Sequence, residues 1–98
     1  MLLSDKEMLD IAERYLKKIC EGGIEPMIYL DDIISKPYGN IYFYNSKQFI
    51  LTKNPEYAVG GNAPFLVEKE TGRVVTFSTS NTIENDINDY ENDTMTPS

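Results

Sequence analysis

The stretch "PFLVEKETGRVVTF", residues 64–77, constrains this chain more than any other. Two apolar runs flank an acidic turn that ends in Thr71-Gly72, so the chain must double back on itself as an antiparallel hairpin. Pro64 stands at the first position, where a missing N–H does least harm to a strand. A three-residue loop, Glu70 to Gly72 with Gly72 left-handed, pairs Lys69 with Arg73, Val67 with Val75 and Phe65 with Phe77. A four-residue loop pairs Val67 with Val74 and aligns Phe65 with Thr76. The first register puts four large apolar residues on one face, and because register follows the hydrophobic pattern it is the one expected. Upstream, Gly60-Gly61-Asn62 lacks the spacing of a nucleotide-binding loop and precedes a strand rather than a helix, so it reads as the bend that feeds the hairpin.

The rest of the chain supplies what such a hairpin packs against. In "SDKEMLDIAERYLKKICEGG" Ser4 and Glu7 form a capping box, and Gly22-Gly23 give the stop. Between them Met8, Ala12, Tyr15, Leu16 and Ile19 recur at helical spacing, widened by Leu9, Ile11 and Cys20, which predicts an amphipathic helix over residues 5–21. "PMIYLDDII" reads as a strand, "SKPYGN" as a turn, and "NIYFYN" as a strand with Ile41 and Phe43 on one face and Tyr42 and Tyr44 on the other. Phe49-Ile50-Leu51 fits either a short strand or a helical turn. Asn81 and Glu84 mark the start of a short helix, residues 82–91, with Ile83, Ile87 and Tyr90 in one stripe, and residues 92–98 are expected to fray. The order predicts one α+β domain over residues 1–98: an N-terminal helix on an antiparallel sheet of about four strands, and a short C-terminal helix.

Composition narrows the chemistry. With 98 residues, 41% hydrophobic and 11% aromatic, the chain is too apolar for disorder despite a net charge of −7. It has one cysteine, Cys20, and no histidine, which removes internal disulfides, cysteine metal clusters, the commonest metal ligand and the commonest general base. No cofactor is expected. No run reaches the ~20 apolar residues of a membrane span, and the start lacks a signal-peptide pattern, so a cytoplasmic protein with no membrane partner is expected. Acidity disfavours nucleic acid and favours basic protein surfaces. From Asn81 to Ser98 there are five acidic residues and no basic ones, so this segment carries −5 of the net −7.

Each candidate site has a plainer reading beside it. Asp31-Asp32 and Glu68/Glu70 are carboxylate pairs, but adjacent Asp residues in a strand point to opposite faces and are read as solvated charge. Cys20, near a helix C-terminus with no histidine to activate it, is read as a small packing residue. Tyr29, Tyr42 and Tyr44 on adjacent strands form a candidate aromatic contact patch, and Glu84, Asp86, Asp89 and Glu91 a candidate acidic one. Core packing and a solvated helix face are the competing readings.

The order of motifs resembles the immunity protein 35 family, which takes in the YrhB-type small bacterial proteins. The likeness lies in the helix with "IAERYL", in "GNIYFYNS", and in "GGNAPFLVEKETGRVV", where Gly60, Gly61, Asn62, Pro64, Val67, Thr71 and Gly72 follow the family's structural pattern. This chain departs from it in having no Trp and in carrying Glu68 where Asp is usual. The resemblance implies a small non-enzymatic protein, monomeric or weakly dimeric, that binds and neutralises a cognate polymorphic toxin, with a papain-like peptidase as one kind of partner. It carries over no catalytic residue. A chaperone-like protein that binds unfolded chains is the alternative implied by the YrhB branch, and a small carboxylate hydrolase is a third reading.

Overall fold

The computed structural model of the chain describes residues 2–20, 25–57, 63–77 and 82–95. Helix α1, Asp5–Ile19, begins on a complete capping box: the Glu7 N–H donates to Ser4 Oγ at 3.2 Å, and the Ser4 N–H to Glu7 Oε1 at 3.0 Å. Those bonds satisfy two backbone donors that a helix start otherwise leaves open. Cys20 caps the other end, and the Gly22-Gly23 stop lies outside the described residues. Met8, Ala12 and Leu16 are the buried stripe, whereas Ile19, expected to belong to it, is 45% exposed beyond the edge of the sheet packing.

Six short strands form two antiparallel sheets. Strands β1 (Pro26–Ile28) and β4 (Tyr44–Ser46) make a two-stranded ladder, while β2 (Ile34–Lys36), β3 (Gly39–Tyr42), β5 (Phe65–Glu68) and β6 (Val74–Thr76) make a four-stranded sheet in the order β2-β3-β5-β6. The two ladders are one long arm folded over another. Ile28 pairs with Tyr44 and Ile34 with Ile41, so five residues intervene on one arm and two on the other. The excess is taken up by a 3-10 turn at Leu30–Asp32. "PMIYLDDII" is therefore not one strand, and Asp31-Asp32 sit on an exposed knuckle rather than on alternating strand faces.

The hairpin adopts the register with the four-residue loop, contrary to the expectation from apolar pattern alone. Phe65 pairs with Thr76, Leu66 with Val75 and Val67 with Val74. The Glu68 N–H donates to the Arg73 carbonyl at 2.9 Å, and the Gly72 N–H to the Glu68 carbonyl at 2.8 Å. The physical reason is charge: the expected register sets Lys69 opposite Arg73, whereas the observed one sets Glu68 opposite Arg73. Nε and Nη2 of Arg73 then grip the two Glu68 oxygens, each at 3.1 Å. Gly72 takes the left-handed conformation expected of it, with φ of 76°.

One face of the four-stranded sheet lies under α1. There Tyr42, Tyr44, Phe65 and Val67 join Met8, Ala12, Leu16 and Ile28 in a single buried cluster. The Phe65 ring centroid lies 4.8 Å from that of Tyr15, 5.6 Å from Tyr42 and 6.1 Å from Tyr44. Each buried side chain of this size contributes on the order of 1.5–3 kcal/mol. Gly39 lets β3 press against β5: a Cβ there would sit 2.2 Å from the Val67 carbonyl oxygen.

The opposite face carries Ile41 and Leu66, both fully buried, and Glu68, through which α3, Ile83–Met95, is tied to that side. Thr82 caps α3, its Oγ accepting the Asn85 N–H at 3.2 Å, while Asn81, the expected cap, lies outside the described residues. Residues 92–95, expected to fray, continue the helix. The segment left open as strand or helical turn is α2, Lys47–Thr52, capped by Ser46 and ended by Lys53 at φ of 61°. The α+β class holds throughout.

Candidate partner-binding surface

Of the three tyrosines expected to form a contact patch, two do not reach the surface. Tyr42 is 0% exposed and Tyr44 5%, because the strand face they share is the one α1 covers. Alternation told which residues share a face but not which face meets solvent. Tyr29 is half-buried at the end of β1, where its N–H donates to the Phe43 carbonyl at 2.9 Å, and it borders a shallow hollow with Asp32 and Phe43.

The acidic helix divides in two. Ile83, Asp86, Ile87, Tyr90 and Glu91 follow one another at helical spacing on the inner side, while Glu84, Asn85, Asn88, Asp89, Asn92 and Asp93 are exposed. Asp86 is thus removed from the expected contact set. It is 8% exposed, and its Oδ2 has no hydrogen-bond partner among the described residues. Its place three residues after Ile83 and four before Tyr90 already put it on the apolar stripe. Glu91 is spent inside the domain, accepting from the Tyr38 hydroxyl at 2.7 Å and lying 4.0 Å from Lys36 Nζ. Glu84 and Asp89 remain, without an ion pair among the described residues.

A set of contacts between this helix and the strands fastens it. Tyr38 and Tyr90 stack with ring centroids 5.0 Å apart, and the Tyr90 hydroxyl donates to Glu68 Oε2. Glu68 also accepts from Thr71 at 2.9 Å and from Arg73. Burial pushes the Glu68 carboxyl up, but the bonds from Tyr90, Arg73 and Thr71 outweigh it and hold the group below its ordinary value. Burial, and then the bond to Glu91, drive the Tyr38 phenol far above its usual range and keep it a donor. Tyr90 was legible as part of the helix stripe; its partners on the hairpin were not.

The motif residues of the hairpin are structural where they are described. The Pro64 carbonyl accepts the Phe77 N–H at 2.9 Å, Val67 is fully buried, and Thr71 Oγ accepts the Arg73 N–H at 3.1 Å. Gly60, Gly61 and Asn62 lie outside the described residues. The chain is 29% identical over 72 residues to the uncharacterized protein YrhB of Escherichia coli (strain K12), a likeness covering 64% of this chain and 77% of that one. No family profile and no solved structure matches it. Among the described residues no helix is long and apolar enough to cross a membrane.

Cys20 is half-buried, and burial raises its thiol pKa, the opposite of what a nucleophile needs. It lines the largest described hollow, about 580 Å³, with Leu16, Met27, Ile28 and Leu30 between α1 and β1. The outer side of α3 is left as an exposed acidic surface. Glu84 favours the helix dipole at the first turn, yet Asp89 and Asp93 follow with no basic residue in the last turn, where acid opposes the dipole. Helix stability does not account for them.

Proposed function

We propose that this chain is a non-enzymatic inhibitor that binds a basic protein surface, acting as an immunity protein against a cognate bacterial toxin, a peptidase-type toxin among the candidates. The observation that carries the reading is the exposed side of α3, where Glu84, Asp89 and Asp93 stand without basic neighbours on the helix, the last two with nothing to do for it. Such charge chiefly speeds encounter and sets orientation, while buried anchors hold a complex. The resemblance of the hairpin and helix motifs to immunity proteins supports the same reading.

Co-expression with each toxin encoded beside the gene tests it. Protection against one is expected, and continued killing by all of them overturns the proposal. With a protecting pair in hand, replacing Glu84 by Gln and Asp89 and Asp93 by Asn is expected to slow association by roughly tenfold at low salt, with the melting temperature unchanged. An unchanged on-rate removes α3 from the interface. A chaperone-like function draws less support: Leu2, Leu30 and Leu51 are exposed by 60% or more but border three different hollows, and single exposed apolar residues are ordinary.

A further inference from the structure

Strand β2 is the outermost strand on one side of the four-stranded sheet. The Lys69 N–H donates to the Tyr38 carbonyl at 2.8 Å, which fixes how the β3 backbone is shared between its neighbours. Alternate residues of an antiparallel ladder bond to alternate sides. Asn40 and Tyr42 therefore turn toward β5, Gly39 and Ile41 toward β2, where they meet Lys36 and Ile34. The backbone groups of Ser35 point away from the sheet. So do those of Ile33, whose φ of −65° and ψ of 125° continue the extended chain. Among the described residues no backbone hydrogen bond reaches either of them.

Beside this open edge, on the α1 side, Ile33 and Ser35 enclose a hollow of about 360 Å³ with Asp5, Lys6 and Leu9 of α1 and Asn40 and Tyr42 of β3. Its walls are apolar at Leu9 and Ile33, and its floor is polar and dry: Asn40 is 4% exposed and Tyr42 0%. Asn40 Nδ2 donates to Asp5 Oδ1 at 3.2 Å and to the Tyr42 hydroxyl at 3.5 Å. The Tyr42 oxygen is an acceptor there, and its own O–H finds no acceptor among the described residues. Burial raises the pKa of that phenol, so the proton stays. With no surface at the hollow, that hydroxyl is out of a ligand's reach, and what the hollow presents is chiefly the apolar wall of Leu9 and Ile33. Two residues before Ile33 the edge begins at Asp31 and Asp32, both exposed and without an ion pair among the described residues.

We propose that the β2 edge and its hollow dock an extended segment of a partner protein, which adds as a further strand at Ile33 and Ser35, sets an apolar side chain in the hollow, and brings a Lys or Arg against Asp31 and Asp32. An apolar side chain is the group that fits, because Leu9 and Ile33 make most of the wall it meets. A carboxylate there meets the Asp5 charge. At about 3.3 Å per strand residue, the basic side chain stands two or three residues from the apolar one. Backbone pairing supplies affinity in this mode and the side-chain positions supply selectivity. The basic residue rests on the reading of the partner as a basic protein; the edge and the hollow do not. A second copy is disfavoured as occupant, since two chains of net charge −7 repel.

The probe is a synthetic nonapeptide of alternating Thr and Val with a central Val and two terminal Lys residues, titrated into the full ¹⁵N-labelled chain. Saturable shifts centred on the Ile33 and Ser35 amides are expected. A twin with Glu in place of Lys is expected to bind about tenfold more weakly, and one with backbone N-methylation at alternate residues not to bind. Ser35→Pro, which removes an outward N–H and no ladder bond, is expected to abolish binding with the circular dichroism spectrum unchanged. Absent shifts, shifts centred on β6, or equal binding of the two charged twins overturn the proposal. Shifts of Ile33 and Ser35 that depend on protein concentration without peptide assign the edge to a second copy and overturn it as well. Failure of toxin protection leaves the peptide result standing, and failure here leaves the α3 face untouched.

Discussion

The two faces of the four-stranded sheet are covered by helices of similar length that are held in different ways. Under α1 the contact is dry: three fully or almost fully buried helix residues meet Tyr42, Phe65 and Val67 with rings in contact. Under α3 the apolar stripe is thin. The helix is fastened by two phenol-to-carboxylate bonds, with a carboxylate oxygen of Asp86 buried beneath it and unpartnered among the described residues. Hydrophobic burial is insensitive to geometry and pH, whereas hydrogen bonds to charged groups are directional and lost when a proton is added. One helix therefore behaves as part of the core and the other as a clasp.

The largest effect expected from this contrast is on the α1 side. Phe65→Ala removes a side chain that touches three aromatic rings and should cost about 3–5 kcal/mol in urea unfolding. A loss no larger than that from cutting the clasp would break the comparison. The next concerns Glu68, whose side chain is 14% exposed. Glu68→Gln should cost roughly 1–3 kcal/mol at neutral pH, because three donors lose their charged acceptor. The group's folded pKa lies below 4.5, so its contribution is fully present above that value and is lost as pH falls through the depressed one. Melting temperatures of the two proteins should thus stay apart down to about pH 4.5 and converge only in stronger acid. Convergence nearer neutrality would show that the carboxyl is not held down. The smallest effect has the opposite sign: Asp86→Leu should raise stability by about 1 kcal/mol in the same unfolding assay, since it replaces an unmet buried acceptor by an apolar group. A loss would reveal a partner for that oxygen.

The elements most legible beforehand were those with their instructions in the local chain. The Ser4/Glu7 capping box, the α1 stripe of Met8, Ala12 and Leu16, and the left-handed Gly72 all depend on residues within a few positions of one another. The hairpin register was misread because apolar pattern favoured one alignment while the Glu68–Arg73 pair favoured the other, and pairing charges across a turn outweighed stacking one more apolar residue. Tyr42 and Tyr44 were misread as surface because a strand's alternation is symmetric until something covers one side. Asp86 was misread because charge was counted along the helix instead of around it.

What the sequence determined by itself was the class of the fold, the start of α1, the turn glycine and the concentration of charge in the last segment, all of which follow from short-range geometry and composition. Only the tertiary structure decided which sheet face takes which helix, that Glu91 is used inside the domain while Glu84 and Asp89 are left outside, and that the β2 edge stands open among the described residues. These outcomes depend on contacts between residues far apart in the chain, such as Tyr38 with Glu91 and Tyr90 with Glu68, whose energies exist only once the strands between them have paired.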